Sequence, residues 1–180
     1  IGPGGGLGPD LKAKVLASLS TPLSCILDAD ALSTFSENSQ SLFKAIRSRK
    51  AETVLTPHHG EFTRLFTVNP ELDKITNCQN AAKTSGAIVV YKGADTVIAA
   101  PDGRVSINTN GPPCLATAGA GDVLSGLIGG LCAQGLDAYN AARAGCWIHG
   151  AAGAHIGPGL IASDIICAVP DILAEEELCA

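Results

Sequence analysis

The stretch LATAGAGDVLSG, residues Leu115 to Gly126, decides how the rest of the chain reads. It crowds glycine and alanine against one carboxylate, Asp122, and an apolar helical stripe of Val123, Leu124, Leu127, Ile128 and Leu131 begins at once. Gly119, Ala120 and Gly121 keep side chains away from the start of that helix. The free N–H groups and dipole of a helix N-terminus favour an anion there. An aspartate at a helix start is by itself an ordinary capping choice. Two glycines beside it lower helix stability and return nothing, which tilts the stretch from a cap toward a site.

The pattern around this stretch alternates strand and helix. SCILD (24–28), Thr53 to Leu55 and Ala87 to Tyr91 are short apolar runs suited to buried parallel strands. Val97 to Ala100, the turn Pro101-Asp102-Gly103 and Arg104 to Ile107 form a hairpin signal. Helices are expected over Phe35–Arg47, after Thr56 as N-cap with Pro57 at the first helical position, and over Glu71–Ser85, stopped by Gly86. Three more are expected over Asp122–Gln134, Ala138–Ala154 and Ser163–Val169, the last capped by Ser163 and limited by Pro170. The order implies an α/β fold, a three-layer αβα sandwich whose mostly parallel sheet carries a β-hairpin and whose C-terminal part is helical.

Composition bounds the partners. With 180 residues, 46% of them apolar and 16% charged, the chain can bury a sizeable core in one domain. A net charge of −5 argues against nucleic acid or an anionic membrane as partner. An anionic substrate stays open, because backbone amides can bind it. Seven widely spaced cysteines with no CxxC argue against a zinc site or disulfide framework and suit a reduced, cytoplasmic setting. No apolar run is long enough to span a bilayer. The chain opens on Ile1 and contains no methionine, so it is expected to be the C-terminal part of a longer one.

Three further segments can carry chemistry. IGPGGGLGPD has five glycines in its first eight residues, which suits either a tight turn or close backbone approach to a ligand. LTPHHGEF, Leu55 to Phe62, lacks HExxH and a third metal ligand. It reads as a strand-to-helix turn at the carboxyl edge of a sheet, either bare or holding a polar ligand. In VVYKGADT, Lys92 and Gly93 directly follow a strand, as an ordinary turn or as a phosphate site.

GAGD before an apolar helix resembles the anion-hole motif of ribokinase-like kinases. IGPGGGLG, LDADAL, LTPHHGEFTRL, YKGADTVIAAPDG, LATAGAGDVLSGLIGGLCAQG and WIHGAAGAHIGPGLIASDI, six segments in order over nearly all 180 residues, resemble the ADP/ATP-dependent NAD(P)H-hydrate dehydratases. That resemblance implies a ribokinase-like fold and a repair enzyme that phosphorylates the ring hydroxyl of NAD(P)H hydrate from ADP or ATP, with Mg2+, and releases phosphate. Asp122 would be the base, and Gly119, Ala120 and Gly121 the anion hole. Gly4, Gly6, Gly8, His58 and Glu61 would line the hydrate side with Asp122. Lys92, Gly93, Ala94, Asp95, Thr96 and Gly121 would hold the nucleotide. No dedicated metal ligands are assigned. The resemblance also implies a homo-oligomer, a tetramer, and fusion to an epimerase domain in the longer chain. On this basis residues 1–180 form a dehydratase domain lacking its N-terminal strands and helices. Three departures stand out: GPGGGLG is two residues longer than the family's GPGLG, His59 replaces a proline, and Ala120 replaces a serine. The alternatives are a ribokinase-like kinase for a small alcohol and a non-catalytic nucleotide-binding fragment.

Overall fold

Alternation along five short strands sorts the core onto the two faces of one sheet. In the computed structural model, which describes residues 1–175, β1 (Cys25–Leu27), β2 (Thr53–Leu55), β3 (Ile88–Tyr91), β4 (Thr96–Ala99) and β5 (Val105–Asn108) lie side by side in that order. β1, β2 and β3 are parallel, with Ile26 opposite Val54 and Val54 opposite Ile88. β4 returns antiparallel, Val90 facing Ile98, and β5 pairs with it through Val97 and Ile107. Successive strand residues point to opposite faces. Leu27, Leu55, Val89, Tyr91, Val97 and Ala99 therefore enter one buried cluster, and Val54, Ile88, Val90 and Ile98 another.

Helices close both faces. The first cluster takes in α1 (Pro9–Leu19), α2 (Asp30–Ser33), α3 (Ser39–Arg47), α4 (His59–Leu65) and α5 (Lys74–Ser85). The second packs against α6 (Ala120–Ala133) and α7 (Ala138–Ile156) through Leu124, Ile128, Ala138, Ala142 and Cys146. α8 (Ala162–Glu175) rests on α6 and α7 and not on the sheet, through Ile165, Ala168 and Ile172. The result is the three-layer αβα sandwich expected, with a mixed sheet whose parallel half is buried on both sides.

Boundaries differ from the sequence reading for local reasons. α1 was not anticipated, although Pro9 opens it and Leu11, Val15 and Leu19 make a buried stripe at four-residue spacing. The glycines before it drew the reading toward a loop. α3 begins at Ser39 because the Asn38 side chain accepts the Ser41 N–H, and the buried Phe35 belongs to the turn before it. His58, not Thr56, caps α4: its Nδ1 accepts from the N–H groups of Gly60 (3.0 Å) and Glu61 (3.3 Å), while Glu61 accepts the His58 N–H at 2.9 Å. Thr56 is fully buried and donates to the Leu27 carbonyl at 3.3 Å. α5 starts at Lys74 behind the Asp73 cap and ends, as expected, at Gly86, whose φ is 77°. α8 starts at Ala162, so Ser163 lies inside it, and it passes through Pro170. Cys179 lies outside the described residues, and the six cysteines within them are free thiols.

Candidate active site

The carboxyl ends of the parallel strands meet the N-terminus of α6. Thr56 N–H donates to the Leu27 carbonyl at 3.1 Å, and Lys92 N–H to the Pro57 carbonyl at 2.9 Å, so the turns after β1, β2 and β3 are bonded in series. Open α/β sheets bind ligands at this edge. A cavity of about 430 Å³ opens there. Lys92, Gly93, Ala94 and Thr96 line one wall and Ala120 and Gly121 another, with Leu115, Leu124, Cys146 and His149 behind. Its size suits a small-molecule ligand.

The head of α6 is built to stay open. Gly119 takes a φ of 82° at the N-cap and supplies no side-chain cap. Its carbonyl accepts the N–H groups of Asp122 (3.1 Å) and Val123 (3.2 Å). Among the described residues nothing accepts the Gly121 N–H, one of the orphan donors of a helix start. A Cβ added to Gly121 would lie 3.4 Å from Lys92 Nζ, so the ammonium reaches the turn. His149 of α7 donates from Nε2 to the Ala120 carbonyl at 2.9 Å. A carbonyl only accepts, so the proton sits on Nε2. Burial depresses the imidazole pKa, which keeps the ring neutral. Burial also pushes the Cys146 thiol up to about 12, so it lines the cavity as an apolar group.

The residues singled out from the sequence fall into two sets. Lys92, Gly93, Ala94, Thr96, Ala120 and Gly121 line the cavity. Asp95 does not: its carboxylate faces Lys74 at 2.8 Å, and that bond holds its pKa below the usual carboxylate range. Gly4, Gly6 and Gly8 lie outside the cavity, over the turn after β1, where Gly6 N–H donates to Asp30 at 2.9 Å and Gly8 N–H to Thr34 at 3.2 Å. His58 and Glu61 bind each other in the α4 cap, with His58 exposed and Glu61 buried. Asp122 is exposed and shares an α6 face with Ser125, three residues on, which bonds Asp28 at the end of β1. Asp122 is thus exposed and outside the cavity lining, whereas its neighbour Gly121 lines the cavity and also approaches Asp28. Sequence reasoning did not assign Asp28, Ser125 or His149. An acid closing a buried apolar strand, Asp28 after Cys25–Leu27, was the available signal.

These residues fit a phosphate-bearing ligand: an unpaired N–H, an ammonium and a side-chain-free turn converge on one cavity. Among the described residues no three His, Cys, Asp or Glu side chains group to hold a metal ion.

Residues 1–170 match the family model described as NAD(P)H-hydrate dehydratase. The bifunctional NAD(P)H-hydrate repair enzyme Nnr of Mycobacterium leprae is 42% identical over 154 residues, 86% of this chain and 32% of that protein. Its namesake in Moorella thermoacetica is 37% identical over 191 aligned residues, 99% of this chain and 35% of that protein. The chain therefore spans about a third of the length of these relatives. Among solved structures, the ADP/ATP-dependent NAD(P)H-hydrate dehydratase of Bacillus subtilis, co-crystallised with ATP/Mg2+, superposes with a TM-score of 0.83 at 29% identity, over 97% of this chain and 63% of that one. A ribokinase-like superfamily protein of Enterococcus faecalis gives the same TM-score at 27% identity. With the match running through all but the last turns of α8, the chain belongs to the NAD(P)H-hydrate dehydratase family.

Proposed function

We propose that the chain carries out the dehydration step of nicotinamide nucleotide repair, the ADP- or ATP-dependent conversion of (S)-NAD(P)H hydrate to NAD(P)H. The observation that carries this reading is the open head of α6, where Gly121 and Lys92 line a cavity and the adjacent Asp122 is exposed outside its lining. The nucleotide occupies the cavity, its phosphates against the Gly121 amide and the Lys92 ammonium. The hydrated nicotinamide lies on the β1 side, near Gly4, Gly6, Gly8, His58 and Glu61.

Asp122 takes the proton of the ring hydroxyl as that oxygen attacks the donor's terminal phosphorus, and the bond from phosphorus to the bridging oxygen of the nucleotide breaks. The unpaired Gly121 amide faces the charge on the moving group, while the Ala120 and Asp122 N–H groups are taken by the Thr117 and Gly119 carbonyls and shape the turn. Phosphate, a far better leaving group than hydroxide, then departs with the C–O bonding pair, and loss of a proton from the neighbouring ring carbon forms the double bond of NAD(P)H. Magnesium entering with the nucleotide would supply charge neutralisation, since among the described residues no cluster of His, Cys, Asp or Glu is grouped to hold it.

The same reading extends to residues 1–180 as a dehydratase domain of a longer, epimerase-fused protein in the cytoplasm, assembled as a homo-oligomer, a tetramer. The exposed apolar residues Leu7, Leu23, Ile161 and Ile166 support self-association, and no helix among the described residues is long and apolar enough to cross a membrane. The test is the return of NADH absorbance from purified NADH hydrate, with ADP and ATP compared as donors. Asp122→Asn is expected to lower kcat by at least about a hundredfold, the range for loss of a general base, while nucleotide binding stays within about twofold. A stable phosphorylated product without NADH would instead point to a small-molecule kinase. Absence of both turnover and nucleotide-induced thermal stabilisation would point to an inert fragment.

A further inference from the structure

Asp28 is 2% exposed and takes no part in the chemistry assigned above. Its Oδ1 accepts from the Lys92 ammonium at 2.9 Å and from the Ala29 N–H at 2.9 Å, and its Oδ2 accepts from the Ser125 hydroxyl at 2.8 Å. Ser125 in turn lies 3.3 Å from the buried Thr56 hydroxyl. Ala29 has a φ of 50°, the only positive φ at a non-glycine position among the described residues. Strain of this kind persists where the surroundings over-determine it, and it clusters at functional sites. Here it accompanies an N–H bonded to the neighbouring carboxylate. A buried ion pair is weak evidence for stability, since apolar packing of the same volume serves as well or better.

The geometry at Lys92 gives the cluster a use. An ammonium has three N–H groups. Asp28 takes one, and among the described residues no other acceptor engages Lys92 Nζ. The side chain is 20% exposed, and it opens on the cavity beside the point where a Gly121 side chain would begin. An unsupported lysine swings on a flexible four-carbon stem. Resting on the nucleotide reading of the cavity, we propose that Asp28 is a positioning residue, which pins the Lys92 ammonium under the Gly121 turn with two N–H groups presented to the donor's phosphate oxygens. Ser125 and the strained Ala29 amide fix Asp28 in turn, so the ends of β1 and β3 and the head of α6 share one spacing.

The test is a double-mutant cycle read as ATP affinity by calorimetry on the purified protein, with circular dichroism melts to establish folding. Asp28→Asn is expected to weaken ATP about tenfold when Lys92 is present and less than about twofold in the Lys92→Met background. A structural role alone would not produce that dependence on Lys92, and equal losses in both backgrounds overturn the proposal. Where Asp28→Asn gives no cooperative melt, Ser125→Ala provides the same cycle, with about a threefold loss that also disappears in the Lys92→Met background. A parent protein that binds neither ADP nor ATP refutes the nucleotide reading itself, whereas a parent that binds with equal losses refutes only the role of Asp28.

Discussion

Two glycines at the head of α6 should respond in opposite ways to a methyl group. Gly119 holds a φ of 82°, and a Cβ there would sit 3.1 Å from the Ala162 Cβ. Gly119→Ala is expected to cost about 1–2 kcal/mol, read as a lower melting temperature. Gly121 lies within the first turn of the helix, and its added Cβ would meet Lys92 Nζ at 3.4 Å and Asp28 Oδ2 at 3.7 Å, ordinary contacts. Gly121→Ala should leave the melting temperature unchanged or raise it, by up to about 1 kcal/mol of helix propensity. The same methyl occupies space that a phosphate would need, so ATP binding should weaken on the order of tenfold. An intact affinity would place the phosphates elsewhere. At this scale the sequence was a good guide to the turn itself, because the glycine cost was visible without coordinates. It was a poor guide to Asp28 and His149, whose partners Lys92 and Ala120 lie 64 and 29 residues away.

At the scale of elements, α8 shows packing overriding a local rule. A proline inside a helix removes one hydrogen bond and crowds the carbonyl four residues back. Ile165, Ala168 and Ile172 are buried on both sides of Pro170, which is itself exposed, so the helix continues along its apolar stripe. Pro170→Ala is expected to stabilise the protein by about 1–3 kcal/mol, seen as a higher melting temperature with the circular dichroism spectrum preserved. The strands and α5, α6 and α7 were legible because apolar runs, Gly86 and the alanine-rich run from Ala138 mark them locally. α1 was not, although its stripe was present, because the glycines before it suited a tight turn or a ligand loop and drew attention from the helix behind them. The His58 cap was missed for a different reason: histidine is not among the usual N-cap residues, and only the folded turn brings its Nδ1 to the Gly60 and Glu61 amides.

For the molecule as a whole, the buried imidazole of His149 links stability to pH. Burial lowers its pKa in the folded protein from the ordinary 6.5, so the unfolded chain binds the proton more readily. Its contribution is complete above about pH 6.5 and is lost as pH falls from there through the depressed folded value, with a slope of at most about 1.4 kcal/mol per pH unit. Urea melts between pH 5 and 8 in the parent and in His149→Gln should therefore diverge on the acid side, the variant losing this part of the slope. A constant offset across that range would mean that the ring does not titrate on unfolding.

The turn between β3 and β4 also bears on which changes in chain length the fold can absorb. Only residues 92–95 separate two strands whose register is fixed, with Tyr91 opposite Val97. Side chains alternate along a strand, so one residue inserted before Thr96 would carry Lys92 off its wall or slip the whole hairpin to the wrong face. At Gly4, Gly6 and Gly8, by contrast, an added Cβ would meet nothing within 4 Å, so extra chain at those points bulges into open space. Drift in the lineage of this protein should thus accumulate as insertions and deletions in the first loop and hardly at all in the second, making KGADT a ruler of fixed length and GPGGGLG an elastic one.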